Sequence, residues 1–404
     1  MNLIQPIKDT HHLKTHQLRL DILKTIIEKG SLTISDLSRY ITLSIPTITK
    51  MIGEMVETGL LYESGKSDNH GARKASLFDI NHQAGYFIGI DVKKNKVICV
   101  VCNFIGGLLQ EEQFDFWLDK SEECYPSLLR IIRTFIGRLT IPMEKIITLG
   151  ICVPGRVNSN AGIAYSFFYS EQSSLAKNIE EEFNIPVVVE NDTRAATYGE
   201  FICGAAKSTE NALFVNITWG LGVGIIVDKK IYYGKSGYSG EYGHLPAFDN
   251  EILCHCGKKG CLETEVSGSA IVRKFKEECI KGSSTVLQEK AQMSNPELLS
   301  HILDAAKRED LLSLEIIDRT GRLLGKYIAG LLNVFNPEVI VLGGEVGTLG
   351  RQIQLPVETG IMKHTLSFVN NDTELRIAKL KEKAGSIGVC MLSRNKILGI
   401  IRHS

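Results

Sequence analysis

The chain has 404 residues, enough for two or three separate cores. Its 44% apolar and 23% charged content is that of a globular protein and excludes a disordered one. Lys plus Arg equals Asp plus Glu at 46 each, so any contact with nucleic acid has to come from a local patch and not from net charge.

The opening MNLIQPIKDTHHLK lacks the apolar segment of a signal peptide, and no apolar run is long enough to span a bilayer. A cytoplasmic protein with no membrane partner is expected. From Leu18 the pattern LRLDILKTIIEKG places Leu18, Ile22, Leu23, Ile26 and Ile27 on one helical face and ends in a C-cap at Gly30. Ser31–Thr33 suits a short strand. Ser35 is then the expected cap of a second helix, with Leu37 and Tyr40 facing inward. After a turn at 41–43, Ser44 caps a third helix, with Pro46 tolerated in its first turn. Ile48, Met51, Ile52, Met55 and Leu60 face its buried side, leaving Thr47, Thr49 and Lys50 outward. A tight connection between the second and third helices matches a helix-turn-helix, whose recognition helix presents its N-terminal residues to base edges. Next come Leu61-Tyr62-Glu63, the polar loop SGKSDNHGARK and the strand Ala75–Ile80, which together read as a wing. Lys66, Arg73 and Lys74 are its candidates for phosphate or minor-groove contact. Three helices alone also suit a structural or protein-binding module; the order helix, turn, helix, wing favours operator DNA.

After Asn81 the texture changes. YFIGIDV, KVICVVC, IITLGICV, PVVVEND, ALFVNIT, GVGIIVD and EVIVLGG read as strands, several apolar enough to be buried on both faces, and amphipathic helices separate them. The architecture is α/β, and ligands in such sheets gather at the carboxyl ends of strands.

Ten cysteines in a chain with no export signal expected argue against a disulfide framework, and only Cys254, Cys256 and Cys261 cluster. With His244 they offer three thiolates and an imidazole, a complete tetrahedral set for one structural zinc per chain, with glycines at the tight turns. His255 also lies within the cluster and competes as a ligand, but is expected to face solvent. Glu241 and Glu263 flank the cluster, and Asp192 follows the strand PVVVE. Convergent carboxylates suit a polyhydroxylated ligand, since each ionised oxygen accepts from sugar hydroxyls. Helix capping by Asp192 and plain exposure of Glu241 account for those residues equally well.

GEYGH and CHCGKKGCLE within Gly237–Gly268, with VPGRV at 153–157, VEND at 189–192 and NPEVIVLGGEV at 336–346, resemble the ROK family of repressors, open-reading-frame proteins and sugar kinases. The resemblance runs from about Tyr86 to the end, and the winged N-terminal domain matches the family's regulator branch. It implies a winged helix-turn-helix domain over 1–81 and a two-lobed actin-like or hexokinase-like domain. The small lobe would comprise 82–194 plus 385–404, and the large lobe, with the zinc site, 195–384. It implies sugar contacts from Gly155, Arg156, Asn191, Asp192, Glu241, His244 and Glu263, with His244 serving metal and sugar through different nitrogens. In the family's kinases the acid matching Asp192 takes the proton of the attacking hydroxyl. Those kinases carry an Asp-x-Gly-Gly-Thr-Lys turn after the first strand, where this chain has Asp91-Val92-Lys93-Lys94-Asn95-Lys96. Trp219 in the second glycine turn, and Asn103 in the hairpin partner, are further departures in the expected phosphate subsite. Lys93, Lys94 and Lys96 remain available there to attract an anion. The expectation is a repressor that answers to a sugar or sugar phosphate and binds DNA as a homodimer or homotetramer. The alternative is an ATP-dependent sugar kinase with a regulatory N-terminal domain.

Overall fold

The computed structural model describes residues 10–67, 74–171, 173–293 and 295–400. Helix α1 (Thr10–Lys29) starts before the expected Leu18 and ends at Gly30, whose φ of 83° supplies the left-handed residue of the stop. Strand β1 (Leu32–Thr33) leads into α2 (Ile34–Ile41). The cap of α2 is Thr33 and not Ser35. The Thr33 hydroxyl accepts from the amide of Asp36 while the Asp36 carboxylate accepts from the amide of Thr33, a reciprocal box that Ser35 has no acid to close. Tyr40 also departs from expectation: it is 48% exposed, with Lys29 and Arg39 over its ring. Helix α3 (Ile45–Glu57) is capped by Ser44 as expected, and buries Ile48, Met51, Ile52 and Met55. Strands β2 (Leu61–Lys66) and β3 (Ser76–Ile80) form the wing hairpin, with a bulge between Glu63 and Gly65. With β1 they make a three-stranded sheet.

The remaining chain builds two sheets of the same plan. The first takes β4 (Tyr86–Val92), β5 (Lys96–Asn103) and β6 (Leu108–Asp115), then α4 (Cys124–Gly137), β7 (Ile146–Val153), the short pair β8 (Val157–Asn158) and β9 (Ile163–Ala164), α5 (Leu175–Phe183) and β10 (Val187–Asn191). Its order is β10-β7-β4-β5-β6, the first three parallel and the last two antiparallel. Helix α6 (Asp192–Cys203) carries the chain to β11 (Ala212–Ile217), β12 (Leu221–Val227) and β13 (Lys230–Ile231). After the cysteine-rich loop come α7 (Glu263–Val266), α8 (Gly268–Ile280), α9 (Asn295–Lys307), α10 (Leu311–Phe335), β14 (Val339–Gly343), α11 (Gly344–Gly347), α12 (Arg351–His364), α13 (Ser367–Asp372) and β15 (Glu374–Ile377). The second sheet runs β13-β12-β11-β14-β15, again a meander followed by two parallel strands. Duplication of one five-stranded plan is the actin-like, hexokinase-like architecture.

Helix α14 (Ala384–Ile397) returns the chain to the first sheet, packing on β4, β5 and β7 and crossing α6. The crossing needs glycine. A Cβ on Gly388 would lie 1.7 Å from the carbonyl of Ala195, and one on Gly199 would lie 2.3 Å from that of Ala384. Each lobe keeps an apolar core of its own, around Leu128, Ile132 and Ile151 in the first and Phe275, Ile328 and Val357 in the second. A third core runs from the winged domain into the layer of α6 and α14. At that junction Leu20 of α1 and Ile397 and Leu398 at the end of α14 surround one small apolar gap with Phe87, Phe104 and Ile147.

Candidate functional site: a thiolate cluster and an interlobe cleft

The cysteine-rich loop folds back on itself because glycine occurs where the chain reverses. Gly257 and Gly260 have φ of 86° and 72°, and a Cβ on Gly260 would lie 2.0 Å from the carbonyl of Phe248. Leu253 bridges to Lys259 and Pro246 to Cys261, pinning the loop to the turn that carries His244. The result gathers His244, Cys254, Cys256 and Cys261 so that one donor atom from each lies within 4.8 Å of all the others. Sγ of Cys254 is 3.5 Å from Nδ1 of His244, and Sγ of Cys256 is 3.6 Å from Sγ of Cys261. Zinc–sulfur bonds of about 2.3 Å give tetrahedral edges of about 3.8 Å. Donor set and spacing therefore fit zinc, and four protein donors leave no open position for water. Burial and the hydrogen bond to Glu263 push the Cys254 thiol up from its ordinary pKa, whereas backbone and thiol hydrogen bonds bring Cys256 down. Loading the metal on this cluster has to displace protons.

His244 lies between the thiolate cluster and Glu241. Its Nδ1 faces Cys254, while its Nε2 lies 3.7 Å from Oε2 of Glu241. Glu263, which starts α7, is buried; its carboxylate accepts from Cys254 Sγ at 2.9 Å and lies 3.4 Å from the amide of Leu221. His255 is exposed, as expected, yet its Nδ1 reaches Glu263 at 2.7 Å. His244, His255 and Glu263 form a second group with metal-ligating spacing, in keeping with His255 as a competing ligand.

In the first lobe, β4, β7 and β10 run parallel and end together, so Asp91, Cys152, Asn191 and Asp192 meet at the carboxyl ends of one sheet. Asn191 caps α6: its Oδ1 accepts from the amide of Arg194, and its Nδ2 donates to the carbonyl of Gly155 at 3.0 Å. Gly155 is held at φ 84°, where a Cβ would strike Ser166, and Arg156 stands exposed beside it. Asp192 is the first residue of α6. Burial, and then the charge of Asp91, push its carboxyl up to about 6 against opposing help from Thr193, Lys93 and Arg194.

Sequence reasoning missed the network beneath. Arg194 Nε lies 2.7 Å from Oε1 of Glu190, with both side chains under 5% exposed. Glu190 also accepts from Ser159 and from Tyr233, and Arg194 donates to the carbonyls of Gly237 and Val157. This ion pair joins the first lobe to the segment that carries the glycines before Glu241. A charged residue two places after Asp192 was the available signal, but its partners come from four separate stretches.

One reading of the phosphate subsite needs correction. Asn103 pairs with Tyr86 at the end of the β4–β5 hairpin opposite Asp91, where its Oδ1 accepts from Ile105 and Gly107; it is no part of the cleft. The three lysines each have a partner within the protein. Lys93 lies 3.4 Å from Asp91, Lys94 donates to the carbonyl of Leu118 beneath Trp117, and Lys96 pairs with Glu382 at 2.8 Å. Trp219 does sit in the β11–β12 turn, packed against the second lobe's core.

In the winged domain, Ser44, Thr47, Thr49, Lys50 and Lys74 are all exposed. The Ser44 hydroxyl is engaged with Thr47, and Thr49 donates to the carbonyl of Ile45. Arg73 lies outside the described residues.

Two sheets of the same plan and a winged helix ahead of them define an actin-like regulator architecture. The chain belongs to the ROK family, whose model matches residues 87–396, and residues 17–69 match the MarR family. It is 27% identical over 382 residues to the xylose repressor of Bacillus spizizenii, covering 94% of this chain and 96% of that one. It is 25% identical to the DNA-binding transcriptional dual regulator NagC of Escherichia coli, covering 94% and 93%. A ROK family transcriptional regulator, a homologue of the E. coli MLC protein, superposes with a TM-score of 0.78 at 26% identity over 96% of this chain and 98% of its own. A ROK glucokinase from Streptomyces griseus, solved with glucose and AMPPNP, superposes at 0.66 and 26% over 76% of this chain and 99% of its own. Among the described residues no helix is long and apolar enough to cross a membrane.

Proposed function

We propose that the chain is a sugar-responsive transcriptional repressor of carbohydrate-utilisation genes. The winged domain binds operator DNA, the cleft binds a sugar, and lobe closure couples the two. The observation that carries this reading is a capped, outward-facing recognition helix in one chain with Asn191 and Asp192 at a set of strand ends and Glu241, His244 and Glu263 beside the thiolate cluster, which we take to line one cleft. Ser44, Thr47, Thr49 and Lys50 face base edges, while Arg73 and Lys74 in the wing meet phosphates. Gly155 and Arg156 complete the sugar subsite. His244, Cys254, Cys256 and Cys261 hold one zinc that fixes the positions of Glu241 and Glu263, and the metal activates nothing.

The domain limits proposed are 1–81, 82–194 with 385–404, and 195–384. Asp192 has the place of a kinase base, but the turn after β4 spends its first amide on the carbonyl of Lys96 and its lysines on internal partners, so phosphoryl transfer is not expected. Two recognition helices facing two half-sites call for a homodimer, or a tetramer built from it. A gel shift on the chain's own upstream region, with and without a panel of sugars, tests the reading. Sequence-specific binding that one sugar weakens is expected; an ADP-releasing turnover abolished by Asp192→Asn would establish a kinase instead.

A further inference from the structure

The end of β4 is crowded with charge that the protein supplies to itself. Asp91 is 3% exposed, and three neighbours hold it: Lys93 Nζ at 3.4 Å from Oδ2, Cys152 Sγ at 3.4 Å from Oδ1, and the first turn of α14. A Cβ on Gly385 in that turn would lie 2.5 Å from Oδ2, so the helix start presses directly on the carboxylate. Burial works against the Lys93 ammonium, but Asp91, then Glu345 and Glu382, outweigh it and keep its pKa above the ordinary lysine value. Glu345 stands at the end of β14, on the opposite lobe, and Glu382 is paired with Lys96. The turn is closed as well, because the amide of Lys93 donates to the carbonyl of Lys96 at 2.9 Å.

A phosphate entering here meets the carboxylates of Asp91, Asp192, Glu345 and Glu382 against the ammoniums of Lys93 and Lys96, both already paired. Taking Lys93 for itself, it would strand Asp91 as a buried charge without its partner, which is strongly unfavourable. An uncharged sugar pays no such penalty, and its hydroxyls can donate to the carboxylates.

We propose that Lys93, locked to Asp91, fills the phosphate subsite with the protein's own cation and restricts the cleft to uncharged sugars, excluding sugar phosphates and nucleotides. This rests on the cleft being the effector site. Lys93 is then a specificity-determining residue that acts by occupying a place.

The test is titration calorimetry on the full chain with pyrophosphate, Mg-ADP and glucose 6-phosphate, each against potassium chloride of matched ionic strength. The wild type is expected to bind none of them below about 10 mM. Asp91→Asn keeps the shape, releases Lys93 and removes one carboxylate, so pyrophosphate should bind roughly tenfold more tightly or better. Glu345→Gln leaves the Asp91 pair intact and should gain about two- to threefold, which keeps the proposal testable if Asp91→Asn does not fold. Saturable binding of any probe to the wild type below about 10 mM overturns the proposal, as does a folded variant that gains nothing. Operator binding by the wild type, read by gel shift, reports on the regulator reading separately; its loss would count against that reading and leave the role of Lys93 standing.

Discussion

Asp192 illustrates how one carboxylate answers to its surroundings. Its folded pKa, about 6, exceeds the ordinary aspartate value because burial and Asp91 disfavour the charge. A raised acid stabilises the fold fully below the unfolded pKa of about 4 and loses that contribution as pH rises through the folded one. Asp192→Asn should therefore stabilise the ligand-free protein by on the order of 2 kcal/mol at pH 8 and by nothing at pH 4, compared by urea denaturation. An unchanged difference across that range would mean that the carboxyl is not buried as described. Cys256→Ala removes one of four zinc donors, and elemental analysis should fall from one zinc per chain to well below one. Sugar affinity should fall with it, because Glu263 hangs on the loop that the metal ties; a metal-free variant binding sugar normally would contradict the coupling. The metal cluster was readable in sequence because its ligands lie within one short stretch with glycines between them. The Glu190–Arg194 pair was not, since Ser159, Tyr233 and Gly237 reach it only through the tertiary fold.

Elements were legible where one periodicity ruled. The recognition helix announced its cap, its buried stripe and its outward face, and the seven apolar runs all became strands. Two local readings failed through competition. Ser35 lost the cap of α2 to Thr33 because Asp36 completes the reciprocal pair at Thr33 alone, and Tyr40 found cations at the surface in place of the core. Strand β6 has only a weak alternation and no continuous apolar run, so it went unread. Ser44→Ala should cost about 1 kcal/mol of stability through loss of the α3 cap, measured by thermal or urea unfolding. The crossing of α6 and α14 has no tolerance for a methyl group. Gly388→Ala should destabilise by about 2–3 kcal/mol or force the helices apart, and a variant as stable as wild type would show that the crossing relaxes freely.

At the level of the molecule, the fold class followed from the order of its parts, but the contact between winged domain and first lobe did not. Leu20 reads as one more apolar residue of α1; only the structure puts it against Ile397, Leu398 and Phe87. Leu20→Ala should preserve operator binding while weakening the response to sugar, measured as the ratio of gel-shift midpoints with and without ligand. Equal responses in the two proteins would separate the contact from signalling.

Helix α14 has Gly385 pressed on Asp91 at one end and Leu398 seated beside α1 at the other. Its 14 residues span about 21 Å of stiff backbone. A tilt of about 5° about the cleft end would carry the other end sideways by about 2 Å. In the reading proposed above, sugar and operator need no contact with each other: one stiff helix touches the end of β4 beside the cleft residues and, at its other end, the first helix of the winged domain.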